Sequence, residues 1–251
     1  MAGILGKIFN KVPKITIDSQ TAMEEAISTY GVMPFFHNPV KGFSIAEITE
    51  PGMLFGGNEG YDGCWEWKGP VIRERNSAYG KFFRRKAGFI TLDLLPDFIN
   101  YRRKKYPVKP DSTEEMLLDI INLYDGITST ELRKLINGSL SDELPDMEAP
   151  SAKRGKGNPG AKKKNKRSSL EGPLQRLQMG GRLLISDFEY KLTKKGERYG
   201  WGVAVYSTPE IWLGNNMHTE RTPEESFEFL VKNISSRIPW GTKKSVAKLL
   251  E

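Results

Sequence analysis

One cysteine and two histidines in 251 residues leave little material for several kinds of chemistry. Cys64 alone can form neither an internal disulfide nor a cysteine-based zinc cage, and it fits a reducing cytoplasm. His37 and His218 lie far apart in sequence, so a histidine-rich metal site or a histidine-based nucleophilic triad has too few residues to build on. No metal and no cofactor is expected. Long apolar runs are missing as well. No stretch approaches the roughly 20 residues that span a bilayer, and Met1-Ala-Gly-Ile-Leu-Gly-Lys7 has neither the long h-region nor the cleavage site of a signal peptide. Ile4, Leu5, Ile8, Phe9 and Val12 do fall at helical spacing with Lys7, Lys11 and Lys14 between them. They read as a short helix docked on its own domain, with a membrane-surface helix as the other reading. Gly196, Gly200 and Gly202 are turn and strand glycines and form no phosphate-loop motif.

What is present is ordinary for a globular protein: 38% hydrophobic and 27% charged residues. The net charge of +7 invites a nucleic-acid reading, but its distribution matters more. Residues 151–167 (SAKRGKGNPGAKKKNKR) carry eight Lys/Arg and no acid, and without them the chain falls from +7 to −1. Residues 68–109 hold twelve Lys/Arg against three acids, a net +9, whereas residues 1–67 and 110–138 each come to −4. The 68–109 block is therefore the folded region where a basic surface is expected.

Along the chain, residues 20–31 predict a short helix ending at Gly31. Residues 43–49 predict a second, with Ser44 as cap and Glu47 three places on. Trp65, Trp67, Val71 and Ile72 suggest strand, with Lys68-Gly69-Pro70 as a turn. Tyr79–Asp93 again reads as extended, interrupted near Lys86-Ala87-Gly88. Leu94–Tyr106 predicts a helix with Leu95, Phe98, Ile99 and Arg102 on one face and a basic end that complements its dipole. Ser112-Thr-Glu-Glu115 opens a helix with Met116, Ile120, Leu123 and Tyr124 as its apolar face. After Asp125-Gly126, Thr128 or Ser129 caps a second short helix, Glu131–Ile136, with Leu132, Leu135 and Ile136 inward.

Two short helices joined by a Gly-containing turn are the first half of a helix-turn-helix. Residues 139–167, polar and rich in Pro, Gly and Lys, read as a disordered insert. A third helix follows, starting at Ser168 or at Pro173, with Leu170, Leu174 and Leu177 buried. Then comes a hairpin, Arg182–Leu192 and Tyr199–Tyr206, in which Trp201, Val203 and Val205 alternate on one face. Residues 222–238 add a helix. The expected class is α+β: an N-terminal α+β region (1–109), a winged helix-turn-helix (110–207) interrupted by the insert, and a C-terminal helical extension (208–251).

Candidate contacts to DNA follow from this layout. Gln175, Arg176 and Met179 lie off the leucine stripe of the third helix, and Arg and Gln can read base edges in the major groove. Lys194, Lys195 and Arg198 at the hairpin tip suit a wing on phosphate. Tyr79-Gly-Lys81-Phe-Phe-Arg84-Arg85-Lys86 interleaves aromatic and basic residues. The rings could stack on bases while the cations hold phosphates, or Phe82 and Phe83 could be core and the cations a solvated turn. Trp65, Trp67 and Trp201 are expected in the core. Asp62, Glu66, Asp187 and Glu189 have no neighbours that single out a catalytic acid.

Several runs together resemble the AlkZ-related group of bacterial proteins: Cys64-Trp-Glu-Trp-Lys-Gly-Pro70, Ala78-Tyr-Gly-Lys-Phe-Phe83, Lys86-Ala-Gly-Phe-Ile90, Pro96-Asp-Phe-Ile-Asn-Tyr-Arg-Arg103, Arg176-Leu-Gln-Met179 and Leu184-Ile-Ser-Asp-Phe-Glu-Tyr190. The resemblance covers roughly residues 40–210. It implies winged-helix architecture and a DNA-related role, in a wider family that excises alkylated or cross-linked bases. Those glycosylases use a Gln-x-Gln or Gln-x-Asp pair. The three glutamines here, Gln20, Gln175 and Gln178, form neither, so no catalytic residue carries over. The expected function is a non-enzymatic, cytoplasmic DNA-binding protein, a regulator or repair accessory whose partner is double-stranded DNA. The other readings are a glycosylase with a divergent site near Glu66 or Asp62 and a protein-interaction module. No membrane partner is expected.

Overall fold

The computed structural model describes residues 14–56, 62–136, 138, 170–196, 198–214, 217–238 and 240–251. The expected N-terminal amphipathic helix, the 139–167 insert and the Ser168 cap lie outside these residues.

Helix α1 (Gln20–Tyr30) begins where the Ser19 hydroxyl accepts the Ala22 N–H at 3.2 Å, and it ends at Gly31 in the left-handed region, φ 77°. Strand β1 (Val32–Pro34) follows, then α2 (Ile45–Ile48), where the Ser44 hydroxyl donates to Glu47 at 2.6 Å. After α3 (Cys64–Arg73) come β2 (Ser77–Phe83), β3 (Lys86–Thr91) and α4 (Leu95–Lys105). The three strands form an antiparallel sheet in the order β1-β3-β2. Burial along β2 is nearly continuous instead of alternating, so both faces of the sheet are covered. In α4 the predicted face is buried in full, including Arg102, whose guanidinium donates to the Phe82 carbonyl and lies 5.1 Å from the centre of the Phe98 ring.

The second part runs α5 (Thr113–Asn122), β4 (Ile127–Thr128), α6 (Ser129–Ile136), α7 (Glu171–Met179), β5 (Leu184–Leu192) and β6 (Arg198–Ser207). The caps of α5 and α6 are those the sequence predicts. The Ser112 hydroxyl accepts the Glu115 N–H at 3.3 Å, and Thr128 and Glu131 each accept the other's N–H, at 3.1 and 2.9 Å. Both β4 and β5 pair with β6, giving a sheet ordered β4-β6-β5. Leu170, Leu174 and Leu177 are all buried, as expected, but the third helix starts at Glu171 and not at Ser168 or Pro173.

Three helices complete the chain: α8 (Pro209–Leu213), α9 (Pro223–Arg237) and α10 (Lys243–Leu250). Helix α9 lies against α4. There the buried Asp97 carboxylate accepts from the Ser226 hydroxyl at 2.7 Å and from Arg221 at 3.0 Å, and Asn100 donates to the Arg221 carbonyl at 2.7 Å. Trp240 meets the rings of Tyr30 and Phe43 edge-on, each at 6.3 Å. Buried side chains from Ile15 to Leu250 form one continuous core.

Four expectations are corrected. The segment predicted as strand around Trp65–Ile72 is helix α3. The Glu66 carboxylate reaches back to the Gly63 N–H at 3.2 Å and closes its first turn, which outweighs the β-preferring Trp, Val and Ile. The β2–β3 turn falls at Arg84-Arg85, ahead of Lys86-Ala87-Gly88. Helix α5 buries Leu117 and Ile121 and leaves Leu123 in water, so its inward face is turned from the one predicted. Trp201 is 74% exposed, and Trp65 and Trp67 are only half-buried.

Candidate nucleic-acid interface

The turn between β2 and β3 is a two-residue connection closing the Phe83–Lys86 pair, with both central residues left-handed: Arg84 at φ 50° and Arg85 at φ 66°. Such turns match strand twist but require φ > 0 twice, which is why Asn-Gly normally fills them. A side chain there costs roughly 1–2 kcal/mol per residue. Both arginines are exposed, and neither makes an ion pair among the described residues. Strain of this kind, held by two free cations, points to a task beyond closing the hairpin.

Helix α7 faces this turn. Its buried Gln178 bridges the two parts of the molecule, accepting the Lys81 N–H at 3.0 Å and donating to the Leu174 carbonyl at 3.1 Å. The Gln175 amide donates to the Arg85 carbonyl at 3.2 Å. The result is an open groove of about 620 Å³ whose lining includes Arg84, Arg85, Tyr106, Gln175, Arg176 and the acidic Glu251. Tyr106 and Arg176 also border a second groove of about 470 Å³ that adds Lys105, Lys109 and Arg182. Arg182 is half-buried in this second groove. Burial, and next the neighbouring Arg103, push its proton affinity down, and Glu210 opposes them. Arg176 is tied to Glu114 of α5 by an ion pair.

The residues predicted to touch DNA thus separate into groups. Arg84, Arg85, Gln175, Arg176 and Met179 converge on one groove, although Met179 is mostly buried. Lys194, Lys195 and Arg198 project from the β5–β6 tip, where Arg198 stacks 4.9 Å over Tyr190. Lys81 contributes a backbone anchor, and Lys86 turns the other way to donate to the His37 carbonyl at 2.7 Å. The rings of Phe82 and Phe83 are core, so the stacking reading of that block does not hold. Glu66 is engaged in closing α3. No cluster of three metal-ligating side chains exists among the described residues, and none of their helices is long and apolar enough to cross a membrane.

Sequence reasoning misses two features. Tyr106, at the end of α4, carries no motif. Trp201 stands in water against Trp65, their ring centres 5.7 Å apart, and beneath them the buried Lys68 ammonium sits 3.8 Å over Trp65 and 4.5 Å over Phe188. Burial lowers the Lys68 pKa to about 8, with Glu66 opposing the shift. The glycines on either side of Trp201 are the available signal.

Two small antiparallel sheets, layered with helices, define an α+β protein. The chain belongs to the AlkZ-related family, whose model matches residues 17–251, and this membership connects it with DNA repair. No curated protein and no solved structure matches it.

Proposed function

We propose that the protein binds double-stranded DNA without acting on it chemically, as a repair accessory or regulator, and that the segment from α5 to β6 is its winged helix. Helix, strand, helix, helix and hairpin, with a sheet ordered β4-β6-β5, is the winged-helix arrangement and supports this assignment. The groove between α7 and the Arg84-Arg85 turn takes the phosphate backbone, and Lys194, Lys195 and Arg198 make a second backbone contact. The observation that carries the reading is the pair of exposed, left-handed arginines, without ion pairs among the described residues, opposite Gln175 and Arg176.

The test is fluorescence anisotropy of a labelled duplex across a salt series, with the chain lacking 151–167 as background so that the lysine-rich segment does not contribute. Changing Arg84→Ala and Arg85→Ala together should weaken binding about tenfold and shallow the salt slope by ~1–2, because each lost phosphate contact removes a released counterion. Unchanged affinity and slope would refute the groove assignment.

A further inference from the structure

The aromatic cluster between α3 and the β5–β6 hairpin is a second surface that the groove does not use. Trp65 is its hub. Phe35 at 5.5 Å and Phe36 at 6.4 Å hold it from the core side, while Phe55 at 5.9 Å and Trp201 at 5.7 Å lean on it from the solvent side. The two outer rings are largely in water, Phe55 58% exposed and Trp201 74%. Trp201 stands at 87° to Trp65, so it is braced by contact with another ring but not covered. A tryptophan that merely filled space would turn inward, since burying its ring contributes more than most side chains.

The backbone is shaped to keep it out. Gly200 takes φ 73°, and the β5–β6 register breaks between Glu189 and Lys191, opposite this point. At Gly202 a Cβ would come within 2.8 Å of the Tyr190 ring and 3.0 Å of Phe188, so only glycine lets those two residues lie across the strand. Glycine on both sides weakens a strand, and such sites occur where another group approaches closely. Charge indicates which group. Lys191, Lys194, Lys195 and Arg198 are exposed on the same hairpin. Flat rings flanked by cations match a base with its phosphates, as on single-strand-binding surfaces.

We infer that Trp201, braced by Trp65 and flanked by Phe55, is a stacking platform for an unpaired DNA base, so that the protein distinguishes duplex with an extruded base from fully paired duplex. The inference rests on the DNA-binding reading above.

The test compares three variants on two probes: wild type, Trp201→Ala and Trp201→Phe, each against a paired duplex and the same duplex with one bulged thymidine. Wild type should bind the bulged probe about tenfold more tightly. Trp201→Ala should lose that preference and keep its affinity for paired duplex, and Trp201→Phe should retain most of the preference. Equal binding of both probes by wild type, or a preference that survives in Trp201→Ala, would overturn the inference while leaving the groove intact. If neither probe binds, both readings fall. Trp201 is exposed, so its loss leaves the core unaltered, and matching circular dichroism of the variants checks this.

Discussion

Lys68 places a charge where the fold excludes water. Its ammonium is buried against Trp65 and Phe188, with only the Trp65 carbonyl as hydrogen-bond acceptor among the described residues, and burial draws its pKa from 10.5 to about 8. A lysine whose pKa is lowered on folding is bound to a proton more readily in the unfolded chain. Stability therefore rises with pH between about 8 and 10.5, and the whole cost is present below 8. Replacing Lys68 by Met, similar in shape and uncharged, should stabilise the protein by ~1–3 kcal/mol at pH 7. The gain should shrink as pH approaches 10. Urea denaturation at the two pH values checks this, and a gain independent of pH would show that the lysine charge is not its source. Cys64, by contrast, is neutral and buried: burial raises its thiol pKa, partly offset by a hydrogen bond with Thr49.

At the scale of elements, the Arg84-Arg85 turn sets stability against binding. Changing Arg84→Asn together with Arg85→Gly supplies the residues that a turn with two positive φ values favours, and should raise stability by ~1–2 kcal/mol. The same change removes two cations from the groove and should weaken duplex binding. Denaturation and anisotropy on this double variant read both effects, and movement in the same direction would contradict a functional origin of the strain. This turn also shows where legibility in the sequence ends. Capped helices are readable because their signals are local: Ser112 and Thr128 cap where their spacing predicts. Arg-Arg carries no turn signal, so sequence alone places the turn too late. Helix α3 is misread because Trp, Val and Ile favour strands in general, whereas its start depends on one Glu66–Gly63 hydrogen bond. The groove is foreseeable only as separate residues. Lys81 and Gln178 meet across 97 positions, and no periodicity reports such a contact. Alternation with Val203 and Val205 assigns Trp201 to the core, and the Gly200 kink breaks that alternation.

At the scale of the molecule, charge is local: 151–167 accounts for the excess, and the rest of the chain is near neutral. Attraction to a polyanion therefore depends on where cations gather and not on the total. A long connection between α6 and α7 is compatible with the fold, since each doubling of loop length costs only ~0.6 kcal/mol. The order β4-β6-β5 places that connection between two elements joined by other means: Ile127 and Thr128 pair with Tyr206 and Val205, and α5 lies against α7. Covalent continuity between the halves is thus dispensable once folding is complete. With a site for a specific protease placed within 151–167, cleavage should give two bands on a denaturing gel but one species at the uncut volume on size exclusion. Separation into two species would mean that the shared sheet and core do not hold the halves together. If they do hold, the two pieces can be produced apart and mixed, and recovery of fluorescence or binding on mixing would report their reassembly, making the strand pairing of β4 with β6 the basis of a split protein.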